Sequence, residues 1–231
     1  MKLRHKLAKL SSSEVYRRSW RKVRRQLTPL RLGPLLEKVD QDRLRDIQQR
    51  YAGSPHNYAK YAHIGRWLKR HIARAQDLNL HRSAPKEILD LGCGGGFFLF
   101  IAQQQGHTGL GLDIDEFPLL GELLGLFGVS RVVWRIEARQ PLPDLGRKFD
   151  LITAFSTRFN RDASDREIWG VPEWNFFLDD LKRYLKPGGE VFFEINSGKS
   201  KRYYPDDVRQ LFQKRGAVLE RENVHFKNGI R

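Results

Sequence analysis

Asp90-Leu91-Gly92-Cys93-Gly94-Gly95-Gly96 closes the apolar run Ile88 to Leu91 and leads into Phe97-Phe98. An acidic residue followed by glycines at 92, 94 and 96 describes a place where a strand turns into a helix. A ligand can come close to bare backbone there. In open α/β sheets the crevice beyond the carboxyl end of a strand is where ligands bind. Residue types exclude two ligand classes. A phosphate-cradling loop needs Gly-Lys-Ser/Thr after the glycines, where Phe97-Phe98 stand. The dinucleotide fingerprint needs a glycine at 97. Further residues that could do chemistry are Asp113 at the end of a second apolar run, the polar loop 156–170, Asn196 and His225.

The elements that must hold these residues follow from the pattern. From Lys86 onward, short apolar runs alternate with helical segments, which predicts a parallel, doubly wound α/β sheet. Strands are expected at Glu87–Leu91, Thr108–Asp113, Arg131–Ile136, Phe149–Phe155, Glu190–Asn196 and Ala217–Phe226. Helices are expected at Phe97–Gln105, Glu116–Phe127, Val171–Tyr184 and Pro205–Arg215. Before the joint Ser83-Ala84-Pro85 the chain reads as helical. One helix follows the capping-box spacing of Ser11 and Glu14 and runs to about Leu27, where Thr28-Pro29 ends it. A second covers Leu35 to Arg50, and a third Asn57 to Gln76. Two units are therefore expected, a basic helical extension over 1–84 and an α/β domain over 85–231.

The form Asp-x-Gly-x-Gly-x-Gly resembles motif I of the class I S-adenosylmethionine-dependent methyltransferases. Four more segments resemble the same family in the same order. Gly109-Leu110-Gly111-Leu112-Asp113-Ile114-Asp115 is similar to the end of strand two, and Arg135-Ile136-Glu137-Ala138 to the turn after strand three. Phe149 to Ser156 is similar to strand four, and Leu185-Lys186-Pro187-Gly188-Gly189 to the turn into strand five. The resemblance covers Lys86 to about Phe226. It implies a Rossmann-like sheet of six or seven strands and S-adenosyl-L-methionine as cofactor. It also implies cofactor contacts from Asp90, Gly92, Cys93, Gly94, Gly96, Asp113, Ile114, Glu137, Ala138 and Phe155. Asp113 would accept both ribose hydroxyls, because a carboxylate has two oxygens for two adjacent donors. Glu137 and Ala138 would meet the adenine. The family's seventh strand is antiparallel beside strand five, whereas this sequence stops at Asn228-Gly229-Ile230-Arg231. Either that strand is missing or very short, or the chain is truncated.

Methyl transfer needs a nucleophile held in line with the methyl, and a base if the nucleophile is a hydroxyl. In the family, acceptor contacts come from the N-terminal extension and the loop after strand four. The resemblance therefore points to Arg158, Arg161 and Trp169 as substrate contacts and to Asn160, Asp162 and Asn196 as catalytic candidates. His225 is a further possible base. His63, Tyr58 or Tyr61 could close over the cofactor, although aromatics at that spacing more often form core. No Asn/Asp-Pro-Pro-Tyr/Phe follows strand four, unlike amino methyltransferases acting on adenine or glutamine. Cys93 lies in the glycine loop, a poor place for a nucleophile in C5-pyrimidine methylation. No zinc-ligand spacing exists, so no metal is expected.

Charge bounds the partners. The net charge is +15, and Met1 to Glu87 carries 22 Lys/Arg against 7 Asp/Glu, so the excess lies in the first third. Residues 1–50 are thus expected either to be a solvated basic surface or to meet an anionic membrane or nucleic acid. One cysteine, no secretory h-region and no apolar stretch of about 20 residues point to a cytoplasmic protein, peripheral at a membrane if the arm docks there. Three functions remain open. The first is methylation of a hydroxyl or other heteroatom on a small molecule or glycan precursor. The second is RNA methylation with the arm gripping phosphates. The third is a cofactor-binding scaffold without turnover.

Overall fold

The computed structural model describes residues 30–157, 159, 168–196 and 203–231, together with Val23, Arg25 and Leu27. Short helices α1 (Leu32–Leu36) and α2 (Gln41–Tyr51) are followed by a 3-10 turn at Asn57–Ala62, helix α3 (Ile64–Asp77) and a second 3-10 turn at Leu80–Arg82. Then come β1 (Glu87–Leu91), α4 (Phe97–Gln103), β2 (Thr108–Asp113), α5 (Pro118–Phe127), β3 (Arg131–Val133) and β4 (Phe149–Thr157). The chain ends with α6 (Val171–Lys182), β5 (Leu185–Ile195), α7 (Asp206–Lys214), β6 (Val218–Glu220) and β7 (Asn223–Phe226).

The strands form one seven-stranded sheet in the order β3-β2-β1-β4-β5-β7-β6. All pairings from β3 to β5 are parallel, and β7 runs antiparallel between β5 and β6. The order reverses direction at β1–β4, so the ends of these two strands open onto a crevice. Strand β1 is buried at four of its five positions, as a parallel strand covered on both faces must be.

Each face of the sheet has its own core. On one side Leu35, Ile47, Leu68 and Ile72 pack against Phe98, Ile101 and Leu123. The helices before Ser83 therefore share a core with α4 and α5. Ile64, Leu68, Ile72 and Ala75 make the apolar stripe of α3, at the spacing of one helical face. On the other side Phe149, Trp174, Phe177, Phe193, Phe212 and Phe226 interleave. Polar contacts also dock the early helices. Arg43 Nη1 donates to the Gly125 carbonyl at 3.1 Å, and Glu122 takes Arg50 and the Tyr51 hydroxyl. Among the described residues no helix is long and apolar enough to cross a membrane.

Four expectations are corrected. The single strand expected at Ala217–Phe226 is a hairpin, β6 and β7, turned by Arg221 in the left-handed region at φ 54°. The seventh strand is thereby present, four residues long, where the family resemblance places it. The helix expected over Leu35–Arg50 breaks at Asp40, whose side chain accepts from the Asp42 and Arg43 amides and starts α2 afresh. The third helix breaks at His63, between the 3-10 turn and α3. The strand expected at Arg131–Ile136 stops at Val133. The helix expected from Ser11 to Leu27 lies outside the described residues, apart from Val23, Arg25 and Leu27.

Candidate active site

Gly94 has φ +56°, and a Cβ there would meet nothing within 4 Å. It is the open point of the loop, where a ligand can reach the backbone. Gly96, also left-handed at φ +77°, serves packing instead: a Cβ would come within 2.8 Å of Leu124 on α5. Asp113, at the end of β2, holds the loop. Its Oδ2 accepts from the Gly94 amide at 2.5 Å and its Oδ1 from the Ile114 amide at 2.7 Å. Burial raises its pKa, and these two amides oppose the shift. Asp90 is 2% exposed and its carboxyl is pushed up to about 7 by burial. The Thr153 hydroxyl donates to it at 2.7 Å and works the other way. The Cys93 thiol packs against Gly111, and burial drives its pKa well up, so it is an unreactive thiol.

A cavity of about 780 Å³ opens from this loop. Its opposite wall comes from α3, where Trp67, Arg70, His71 and Arg74 recur at helical spacing beside the apolar stripe. Arg74 is 7% exposed, and its guanidinium lies 4.6 Å from the centre of the Phe155 ring. It grips Glu194 of β5, with Nε to Oε2 at 2.9 Å, and Nη2 donates to the Ser156 hydroxyl at 2.7 Å. Arg70 Nη2 donates to the same hydroxyl at 3.0 Å and to Glu194 at 3.1 Å. Burial works to raise the pKa of Glu194. The hydrogen bond and charge of Arg74 outweigh it and hold the carboxyl below its usual range. Ser156 sits in the left-handed region at φ 57°, a strained position that this network fixes at the end of β4. Burial first, then the charges of Arg74 and Arg70, drives His71 well below its ordinary pKa. His71 is therefore neutral, and its Nε2 lies 3.0 Å from Arg74 Nη1.

Of the residues expected at the site, Asp90, Gly92, Cys93, Gly94, Asp113, Ile114, Phe155 and Asn196 line this cavity. Four others do not. Gly96 faces α5. Glu137 is exposed and takes the Gln140 amide at 2.6 Å, and its neighbour Ala138 packs at the edge of the second core. Trp169, expected to touch the acceptor, is 1% exposed among Phe159, Trp174 and Phe177, so it belongs to the second core. Arg158, Asn160, Arg161 and Asp162 lie outside the described residues. His225 pairs with Glu190 at 3.0 Å away from the cavity. Tyr58 stacks on His56, whereas Tyr61 does line the cavity. The sequence pattern pointed to Ser156 only as the first residue of the polar loop, and it missed Arg70, His71, Arg74 and Glu194. The stripe 67, 70, 71, 74 on α3 is a signal for the three residues of that helix, and no local pattern marks Glu194.

The sheet order, the glycine loop and the acidic ends of β1 and β2 together define a nucleoside-binding α/β domain of the methyltransferase type. A family model described as "Methyltransferase domain" matches residues 61–228. The chain belongs to this family of class I methyltransferases, whose cofactor is S-adenosyl-L-methionine. The ubiquinone biosynthesis O-methyltransferase of Pseudomonas fluorescens (strain SBW25) is 31% identical over 155 residues, covering 64% of this chain and 60% of that protein. The protein of the same name from Pseudomonas syringae pv. tomato is 30% identical over the same length, with the same coverage. The chain thus spans about three fifths of the length of these curated relatives. Among solved structures, CalS10 with bound cofactor, an amino pentose methyltransferase from Micromonospora echinaspora, is 26% identical. That match covers 60% of this chain and 56% of the other, with a TM-score of 0.44.

The residues present fit the cofactor. Gly94 leaves open the space that a Cβ would fill, and Asp90 and Asp113 supply two carboxylates toward a ligand that carries positive charge. Asp113 would hold the ribose hydroxyls, and Ile114, Phe117 and Leu120 would wall the apolar side.

Proposed function

We propose that this protein transfers a methyl group from S-adenosylmethionine to a hydroxyl, or another heteroatom, of a small molecule or glycan precursor. One observation carries the reading: a single cavity joins the two carboxylates of the glycine-loop end to a polar and aromatic wall of Arg70, His71, Arg74, Trp67 and Phe155. The first end suits the cofactor and the second leaves room for an acceptor. The O-methyltransferase names of the curated relatives support this choice of acceptor atom.

The bound sulfonium would supply an electrophilic methyl group. The chain's own residues position and shield. Phe155 and Phe97 keep water from the middle of the cavity, and the Arg74–Glu194–Ser156 network fixes the end of β4. His71 is unsuited to take the acceptor's proton, because a ring nitrogen already accepts from Arg74. Glu194 is unsuited too, since two arginines stabilise its charge. Asp162 in the loop after β4 is the proposed base. Arg158, Asn160, Arg161 and Asn196 are the proposed acceptor contacts. The basic arm is proposed to dock on an acidic surface, and the protein to act in the cytoplasm. Titration of the full chain with S-adenosylmethionine and separately with NAD tests the reading. Micromolar binding of the first and none of the second is expected, followed by methyl transfer in a screen of hydroxyl-bearing acceptors. Failure to bind S-adenosylmethionine would refute it.

A further inference from the structure

The two ends of the cavity differ in charge. The glycine-loop end carries Asp90 and Asp113, opposite Arg131 across the strand ends. The far end is lined by Lys60, Arg70 and Arg74, and the guanidinium of Arg66, outside the lining itself, lies 5.7 Å from the centre of the ring of the lining residue Trp67. Lys60 Nζ lies 5.5 Å from the centre of the Tyr61 ring. Two carboxylates share this end, and each already faces arginine. Glu194 is held between Arg70 and Arg74, and Glu222 lies 3.7 Å from Arg221 Nε. Among the described residues, Lys60 and Arg66 pair with no carboxylate, and both are exposed. The rim therefore keeps an excess of positive charge, set against aromatic faces that exclude water on one side and strengthen any ion pair formed there.

We propose that this rim binds a phosphate group carried by the methyl acceptor, so that the substrate is a phosphorylated molecule. The inference rests on the methyl-transfer reading above. Lys60 and Arg70 line the cavity from the turn before α3 and from its second turn, and Arg66, on the first turn, lies over the Trp67 ring beside them. Together they offer more donors than the two oxygens of one carboxylate can take. A phosphate or diphosphate, with its larger charge and additional acceptor oxygens, matches three separate cations. The aromatic pair Tyr61 and Trp67, with ring centres 4.5 Å apart and planes tilted by 37°, leaves an apolar surface beside the charges for the rest of the acceptor. The phosphate could be that of a soluble phosphate ester or that of a lipid headgroup.

The test uses the full chain at low salt and reads binding rather than turnover. Inorganic diphosphate is titrated into wild type and into the double variant K60Q/R66Q, each saturated with S-adenosylhomocysteine. The same pair is tested by sedimentation with phosphatidylglycerol vesicles and with neutral phosphatidylcholine vesicles. Diphosphate binding that weakens at least about tenfold in the double variant, with affinity for S-adenosylhomocysteine unchanged, supports the proposal. If vesicle binding does not depend on Lys60 and Arg66, the acceptor is a soluble phosphate ester. If it weakens with diphosphate binding, the phosphate belongs to a lipid. Diphosphate that does not bind, or binds both proteins equally, overturns the proposal. Loss of S-adenosylhomocysteine binding by wild type would instead overturn the methyl-transfer reading and leave the diphosphate result to stand by itself.

Discussion

Changing the pH between 8 and 6 should change cofactor affinity about tenfold, through Asp90. Burial pushes this carboxyl from 3.8 up to about 7, and Asp113 nearby adds to the shift. A positively charged ligand favours the ionised form, so binding at low pH must first remove a proton. If only the ionised form binds, the apparent Kd is multiplied by about 11 at pH 6 and by about 1.1 at pH 8. The ratio is about tenfold, or ~1.4 kcal/mol. The sign for stability is opposite. The folded state holds this proton more tightly than the unfolded chain, so the unliganded protein loses stability as pH rises from 3.8 through about 7. Between pH 6 and 8 the loss from this one group is ~1.4 kcal/mol, and bound S-adenosylmethionine should offset it. Calorimetry at pH 6, 7 and 8, in two buffers with different ionisation enthalpies, reads both the affinity and the proton released. Asp90→Asn removes the titration and should flatten the profile, whatever it does to the affinity itself. A flat profile in wild type, or an unchanged slope in Asp90→Asn, would refute the assignment.

Three other substitutions probe separate parts of the structure. Asp113→Ala should weaken cofactor binding by ~1.5–3 kcal/mol, since a buried charge-assisted hydrogen bond pair is lost; equal affinity by titration would remove that residue from the site. Gly96→Ala should lower the melting temperature, at a cost of ~1–3 kcal/mol. Its Cβ would press on Leu124 from a left-handed backbone, and an unchanged melt would contradict the packing role. Trp169→Ala should cost ~3–5 kcal/mol of stability in denaturant unfolding, because the indole is buried among Phe159, Trp174 and Phe177. Cofactor affinity should stay unchanged in the fraction that folds, and a selective loss of affinity would return Trp169 to the site.

The two halves of the site were unequally legible in the sequence, for a physical reason. The cofactor half is local. Asp90, Gly92 and Gly94 stand within five residues, and the glycines are demanded by backbone conformation, which composition displays directly. Strands β1 and β2 were read to the residue because each is a short, mostly apolar segment bounded by turn residues or by an acidic end. The acceptor half is assembled from distant segments. Arg74 reaches Ser156 across 82 residues and Glu194 across 120. Periodicity in α3 reports the stripe that meets the core, Ile64, Leu68, Ile72 and Ala75, and says nothing about the face beside it. On that face Arg70 and Arg74 look like ordinary solvated arginines. Arg74 becomes buried only because β5 brings Glu194 to meet it, and nothing within a helical window announces that partner. The same limit explains Trp169. An aromatic residue in a long polar loop looks like a ligand contact until the fold brings the Phe159 carbonyl, ten residues earlier, to accept its amide at 2.9 Å and packs its ring against Phe159, Trp174 and Phe177. A local pattern thus identifies groups whose role is set by backbone geometry, whereas a group whose role is set by a remote countercharge or a remote ring needs the tertiary fold.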